Sequence, residues 1–366
     1  MLWLRSLFST YVVSKMNKLI LQAPINNLGY GVAAYNILKQ LYLSGDQVAL
    51  FPIGKPEFVD ECVSSSIMNT QKCQTDIPSV KIWHQNDVHG HVGKGEHIGF
   101  PIFELTKFND LEVVSMNHCD RLFVCSKWAK EIIEQNGIDK EVHVVPLGVD
   151  TEIFQPHKSG RKPTIFFNCG KWEKRKGHDI ILECFNTAFR SDDNVELWMM
   201  CDNPFIGDMN AKWQEIYKNS PMGHKIRIIP RQKTHKDVYN IMKQTDCGLF
   251  PARAEGWNLE LLEMMACGKA VIASNYSAHT EFCNNENCML IDIDTMEEAY
   301  DGVFFGGGQG EWASFSESSK CHMIYHMRDF HKMKSSGWEQ NQAGVETAQK
   351  FTWKNSSQEL LNGLRI

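Results

Sequence analysis

The chain has 366 residues, of which 43 % are apolar and 22 % charged, with a formal net charge of −6. That length carries two domains of ordinary size, and the composition excludes a disordered polypeptide. An acidic balance argues against a nucleic-acid partner or an anionic membrane, so any basic site must be local.

Twelve cysteines are scattered with no Cys-x-x-Cys spacing and no evident secretion signal. They read as reduced thiols in a cytoplasmic compartment. At the start, the apolar run from Leu2 to Val13 is interrupted by Arg5. It falls short of the ~20 apolar residues that span a bilayer. Residues 1–15 are therefore an N-terminal extension, with folded structure expected from near Met16. The sharper alternative is an amphipathic anchor, so membrane contact is at most peripheral.

From Lys18 the pattern alternates. "KLILQAP" reads as a buried strand and "NNLGYG" as a glycine-bearing loop. "VAAYNILKQLYLSG" follows as a helix with Ala33, Ile37, Leu38 and Leu41 on one face, stopped by Gly45. Strands "QVALFPI", "VKIWHQN", "HIGFPIFELT", "RLFVCS" and "VHVVPLGVD" come next, with helix "WAKEIIEQNG" among them. This succession predicts a parallel sheet covered by helices. Pro146 and the polar run Gln155 to Pro163 break it and mark a domain boundary. A second cycle begins at "TIFFNCG" and runs through "VELWMMC", "IRIIP", "CGLFP" and "AVIAS", with helices between. Two successive open α/β domains are the expectation. "GVFFGGGQGE" (302–311) reads as a flexible loop, and "FTWKNSSQELLNGL" as a final helix capped near Thr352.

In open parallel sheets, ligands bind beyond the carboxyl ends of the strands. Three features sit at such ends. "CGKWEKRKG" places Lys171, Lys174, Arg175 and Lys176 between two glycines, a pattern that admits close backbone approach and neutralises a diphosphate. "NLGYG" offers Gly29 and Gly31, with Ala34 where a dinucleotide pattern wants a third glycine. In "EGWNLELLEMMACGKAVIAS", a helix starts near Asn258 or Leu259 with unsatisfied amides. Within that helix Glu263 can accept two hydrogen bonds from a vicinal diol such as ribose, and Glu255 precedes it on a loop.

On these residues the chain resembles the GT-B-fold retaining glycosyltransferases of the group 1, family 4-like kind. "EGWNLELLE" is similar to their E-x7-E motif, "GKWEKRKG" to their donor-phosphate loop, and "NNLGYGVAAYNIL" to their N-terminal glycine loop. "VPLGVDTEIFQP" resembles their linker. The resemblance implies two Rossmann-like domains facing a central cleft: an acceptor domain over 16–155, a nucleotide-sugar donor domain over 156–345, and a C-terminal helix over 346–366 crossing back. It implies that Glu263 holds the donor ribose, that Glu255 contacts the transferred sugar, and that Lys171 and Lys176 bind the diphosphate with Arg175 as a substitute. Backbone amides at Asn258 and Leu259 would add to this.

Departures are visible. Asn258 stands where glycine is usual, Lys171 where arginine often is, and "NYSAHTEF" around His279 and Thr280 replaces a glycine pair. Glu104 in "IFELT" takes the place of a reaction-centre histidine. Arg231 and Gln232, after "IRIIP", are expected to border the base. His84, from a run that also holds His89, His91 and His97, is assigned to acceptor binding. A zinc site there lacks supporting carboxylate or thiol spacing.

The implied reaction moves a hexose from a nucleoside diphosphate sugar to a hydroxyl of a glycan, lipid or small molecule. It needs no cofactor, and with no Asp-x-Asp pair at a strand end it needs no metal. A nicotinamide-dependent oxidoreductase is the first rival, but "QVALFPIG" ends without the acid that would hold a ribose. A non-catalytic carbohydrate-binding protein of the same fold is the second, and a GT-B epimerase or phosphorylase the third.

Overall fold

The computed structural model describes residues 18–366; the extension assigned to residues 1–15 lies outside them. Two parallel six-stranded sheets organise the described chain. The first contains β1 (Leu19–Ala23), β2 (Val48–Pro52), β3 (Ser79–Trp83), β4 (His97–Pro101), β5 (Arg121–Val124) and β6 (Glu141–Val144), in the order β2-β1-β3-β4-β5-β6. The second contains β7 (Thr164–Gly170), β8 (Val195–Cys201), β9 (Ile226–Ile228), β10 (Cys247–Phe250), β11 (Ala270–Ser274) and β12 (Met289–Ile291), in the order β12-β11-β10-β7-β8-β9. Central strands such as β10 and β11 are buried along their whole length. This is why they read as unbroken apolar runs rather than as alternating ones: helices cover both faces.

The order of strands decides where a ligand can sit. In the first sheet the sequence direction reverses between β1 and β3, and in the second between β7 and β10. Helices leaving such a pair go to opposite faces, so a crevice opens at the carboxyl ends of the two strands. The four loops at these points follow β1, β3, β7 and β10. At their ends stand, in turn, Gly29 and Gly31 in the first turn of helix Gly29–Leu43, His84, the 171–177 basic run, and Glu255.

The chain returns to its first half at the end. Helix Gln342–Lys350 packs on helix Leu259–Ala266, whereas helix Trp353–Leu364, capped by the Thr352 hydroxyl, packs on helix Gly29–Leu43. Arg121 donates a hydrogen bond to the carbonyl of Gly363, which ties the last helix to β5. Among the described residues no helix is long and apolar enough to cross a membrane.

One sequence expectation is corrected. Residues 302–311 are not simply a loop: β13 (Thr295–Tyr300) pairs antiparallel with β14 (Gly306–Ser314). Glycine weakens a strand by its own propensity, which hid this hairpin. Here Gly307, Gly308 and Gly310 take positive φ, and the register shifts between Glu298 and Tyr300.

Candidate active site at the strand switch point

The basic loop after β7 is lashed to the loop after β10. Gly177, at φ 73°, caps helix His178–Ala188, and a Cβ there would run into the Pro251 carbonyl. Glycine is therefore required for the close approach. Arg253 fixes the rest: its N–H donates to the Arg175 carbonyl at 2.7 Å, and its guanidinium binds the Lys174 carbonyl at 2.7 Å and both oxygens of Asp179 at 2.8 Å. His178 closes the loop from inside. Asn168 donates through Nδ2 to the Leu249 carbonyl, so its Oδ1 accepts from His178 Nε2 at 3.0 Å, leaving Nδ1 to accept the Glu173 N–H at 3.0 Å.

The loop brings two cations to Glu255 and sets a carboxylate and a third cation beside them. Lys176 Nζ lies 2.8 Å from one Glu255 oxygen and Arg175 2.9 Å from the other. Arg175 also reaches Glu173 at 2.8 Å and the Ala254 carbonyl at 2.7 Å, and stands 3.7 Å from Glu104 on the loop after β4. Lys171 pairs with Glu173 at 2.8 Å, with its ammonium between the exposed rings of Phe205 and Phe304. Three carboxylates thus balance three cations. Burial alone would raise the Glu255 carboxyl, yet Arg175 and Lys176 outweigh it and hold the group well below the usual carboxylate range. Glu104, which Arg175 contacts less closely, is raised by burial.

Helix Leu259–Ala266 starts beside this cluster. Its cap, Asn258, sits at φ 81°, a left-handed conformation that asparagine tolerates better than most residues and glycine better still. That accounts physically for the departure noted at this position. Asn258 Oδ1 accepts the Leu261 N–H at 3.2 Å, so its Nδ2 faces His279 Nε2 at 2.9 Å. His279 therefore carries its proton on Nδ1, donating to the Ser274 carbonyl at 3.0 Å. Glu263 lies in the middle of the helix among buried Leu262, Met264 and Met265, and is 9 % exposed. Its carboxylate has no hydrogen-bond or ion-pair partner among the described residues. Burial, with Glu260 and Asp150 nearby, raises it well above the ordinary carboxylate range. A largely buried carboxyl that meets no protein donor is a place where a ligand can supply one.

Loops of the first half complete the surround. Space around Gly29 is open, whereas a side chain on Gly31 would collide with Asn26. Arg231 crosses between the halves and donates to the Asn27 carbonyl at 2.8 Å, so the loop after β9 meets the glycine loop after β1. His84 is exposed beside Trp83, with Tyr30 Oη 3.3 Å from its ring nitrogen. His91 instead stacks on the buried His97.

Sequence reading missed Glu173, His178, Arg253 and Asn168. Glu173 was legible as the one acid inside a basic run. Nothing local distinguished the others, whose roles come from loops that meet only in three dimensions.

Two family models match in tandem: Glycosyltransferase Family 4 over residues 64–153 and Glycosyl transferases group 1 over residues 149–303. A putative glycosyltransferase of Sulfolobus islandicus filamentous virus is 20 % identical over 76 % of this chain and 75 % of its own length. Among solved structures, sucrose-phosphate synthase from Thermosynechococcus elongatus superposes with a TM-score of 0.71 at 11 % identity, covering 95 % of this chain and 98 % of that one. Anabaena HepE in complex with UDP-glucose gives 0.67 at 13 % identity, covering 95 % and 99 %. At such identities these superpositions establish the GT-B fold, and the family models add the assignment within it: this chain belongs to the group 1 glycosyltransferases.

Proposed function

We propose that this glycosyltransferase moves a hexose from a nucleoside diphosphate sugar to an acceptor hydroxyl on a glycan, lipid or small molecule, with retention at the anomeric carbon and without a metal ion or cofactor. One observation carries the reading: the Lys176–Glu255 pair stands at the start of the helix whose middle carries the partnerless Glu263, beside a strand switch point. The diphosphate would compete with Glu255 and Glu173 for Lys176 and Lys171, and the amides of Asn258 and Leu259 would add to the cations. Fixed donors of this kind stabilise the departing diphosphate without reorganising.

Glu255 stays ionised because Arg175 remains beside it. It would then face the transferred sugar and favour the positive charge that develops as the bond from the sugar to the diphosphate breaks. Arg175 is engaged by Glu173, Glu255 and the Ala254 carbonyl. It serves the donor indirectly by holding Glu255. Glu263 would accept the ribose diol, Arg231 would border the base, and open space at Gly29 would admit the phosphates. Glu104 and His84 would face the acceptor from the first domain. The UDP-glucose complex of Anabaena HepE supports a sugar nucleotide as donor. A cytoplasmic setting fits the scattered cysteines.

A thermal-shift panel of nucleoside diphosphates and sugar nucleotides tests this. A ligand at a hundred times its dissociation constant adds about 2.7 kcal/mol. The matching nucleotide should raise Tm in the parent and not in Glu263→Ala. A shift that survives this substitution unchanged would sink the ribose assignment.

A further inference from the structure

We propose that the β13–β14 hairpin is an interdomain strap that positions Glu104, with Gln309, Gly310 and Trp312 as its positioning residues; the catalytic consequence rests on the reading of Glu104 given above. The hairpin belongs to the donor half and is rooted beside Glu255. Arg253 binds Glu297 of β13 at 2.5 Å, and its carbonyl accepts the Ala313 N–H of β14 at 2.9 Å. The far face of β14 lies on the other domain. Trp312 Nε1 donates to the Glu104 carbonyl at 2.7 Å, the Glu311 N–H to the Thr106 hydroxyl at 2.8 Å, and the Lys107 N–H to the Gln309 carbonyl at 3.2 Å. Gln309 Nε2 adds a bond to Glu112 at 2.6 Å.

Packing reinforces these bonds. The indole of Trp312 is fully buried in a cluster with Leu105, Ala254 and Ala299, so residues from both domains share one apolar contact. Gly310 stands at φ 88°, and a Cβ there would strike the Thr106 hydroxyl. Only glycine lets β14 come this close. The segment that carries Glu104 is therefore held from the donor domain on its backbone side, while the Glu104 carboxylate faces Arg175 at 3.7 Å. The acceptor-side carboxyl is placed before any ligand arrives, and the spacing between the halves at this point is set by residues 309–312 of β14, away from the hairpin turn, where Phe304 lies beside the Lys171 ammonium.

Gly310→Val and Gln309→Ala test the strap in the middle of β14, and Trp312→Phe keeps an aromatic ring while removing the N–H. UDP and UDP-glucose serve as probes. In the free protein, amide exchange at residues 104–108 should quicken by about tenfold or more in each variant. UDP affinity should stay within about twofold of the parent. Turnover of UDP-glucose should lose roughly tenfold to a hundredfold in kcat with KM for the donor unchanged, as expected for a misplaced group. Unaltered exchange at 104–108 would overturn the proposal, as would a fall of UDP affinity in step with turnover. Glu104→Gln separates the two readings. If it keeps parental turnover, the role of Glu104 fails, while the exchange data still decide whether the strap exists.

Discussion

Lys176→Met removes the ammonium that lies 2.8 Å from Glu255 and leaves a side chain of similar length. Breaking a buried ion pair ordinarily costs about 3–5 kcal/mol, because one charge is left unpaired. Here Arg175 stays 2.9 Å from the other Glu255 oxygen, so the loss should fall to about 2 kcal/mol. That is roughly 5 °C in Tm for a unit the size of the donor half. Activity should suffer more than stability. One fixed donor to the leaving group is worth about 3 kcal/mol, so kcat should drop at least a hundredfold. Glu255→Gln placed on top of Lys176→Met separates the two effects. The pair are in direct contact and should couple in stability. The double variant should regain most of the lost Tm and none of the lost turnover. Paired thermal melts and steady-state rates read both quantities. A double variant that recovers transfer, or a Lys176→Met enzyme with parental kcat, would refute the view that this ammonium serves the diphosphate.

Glu263→Met should weaken nucleoside diphosphate binding by roughly tenfold to a hundredfold, the value of two lost hydrogen bonds, while raising Tm of the free protein because a partnerless carboxyl in an apolar helix is gone. Isothermal titration showing parental affinity would count against the ribose role. Burial, with Lys176 nearby, pushes the fully buried His178 ring down to about 4. The fold binds the neutral form, so this contribution is complete above the ordinary value of 6.5 and is lost as pH falls from there toward about 4. The span corresponds to about 3 kcal/mol. Melts across this window should be flatter in His178→Gln than in the parent; identical slopes would remove His178 as the cause. Treatment with a chelator should leave the transfer rate unchanged. A fall of about tenfold that added divalent cation reverses would replace the metal-free reading with one in which a metal binds the diphosphate.

Much of the site was legible because its determinants are local. Alternating apolar runs and helical faces marked the elements, and Thr352 marked the start of the last helix, whose Asn355 N–H its hydroxyl accepts. The acids of "EGWNLELLE" and the glycines around the basic run stood out by spacing. Other parts depend on partners far away in sequence. Arg175 read as a phosphate ligand because a guanidinium in a basic loop ordinarily faces solvent or anion. In the fold it is buried against Glu173, Glu255 and the Ala254 carbonyl. The glycine-rich stretch at 302–311 read as a loop because strand propensity is weak there, and docking against Thr106 and Lys107 overrides it.

Sequence by itself determined the α/β character, the two-domain division and the chemical types gathered near each strand end, since periodicity, caps and charge act over a few residues. Tertiary structure alone decided that β7 lies beside β10, and that adjacency brings Lys176 to Glu255 across 79 positions of chain. Strand order is set by how whole helices pack on both faces of a sheet, a balance to which no short segment holds the key.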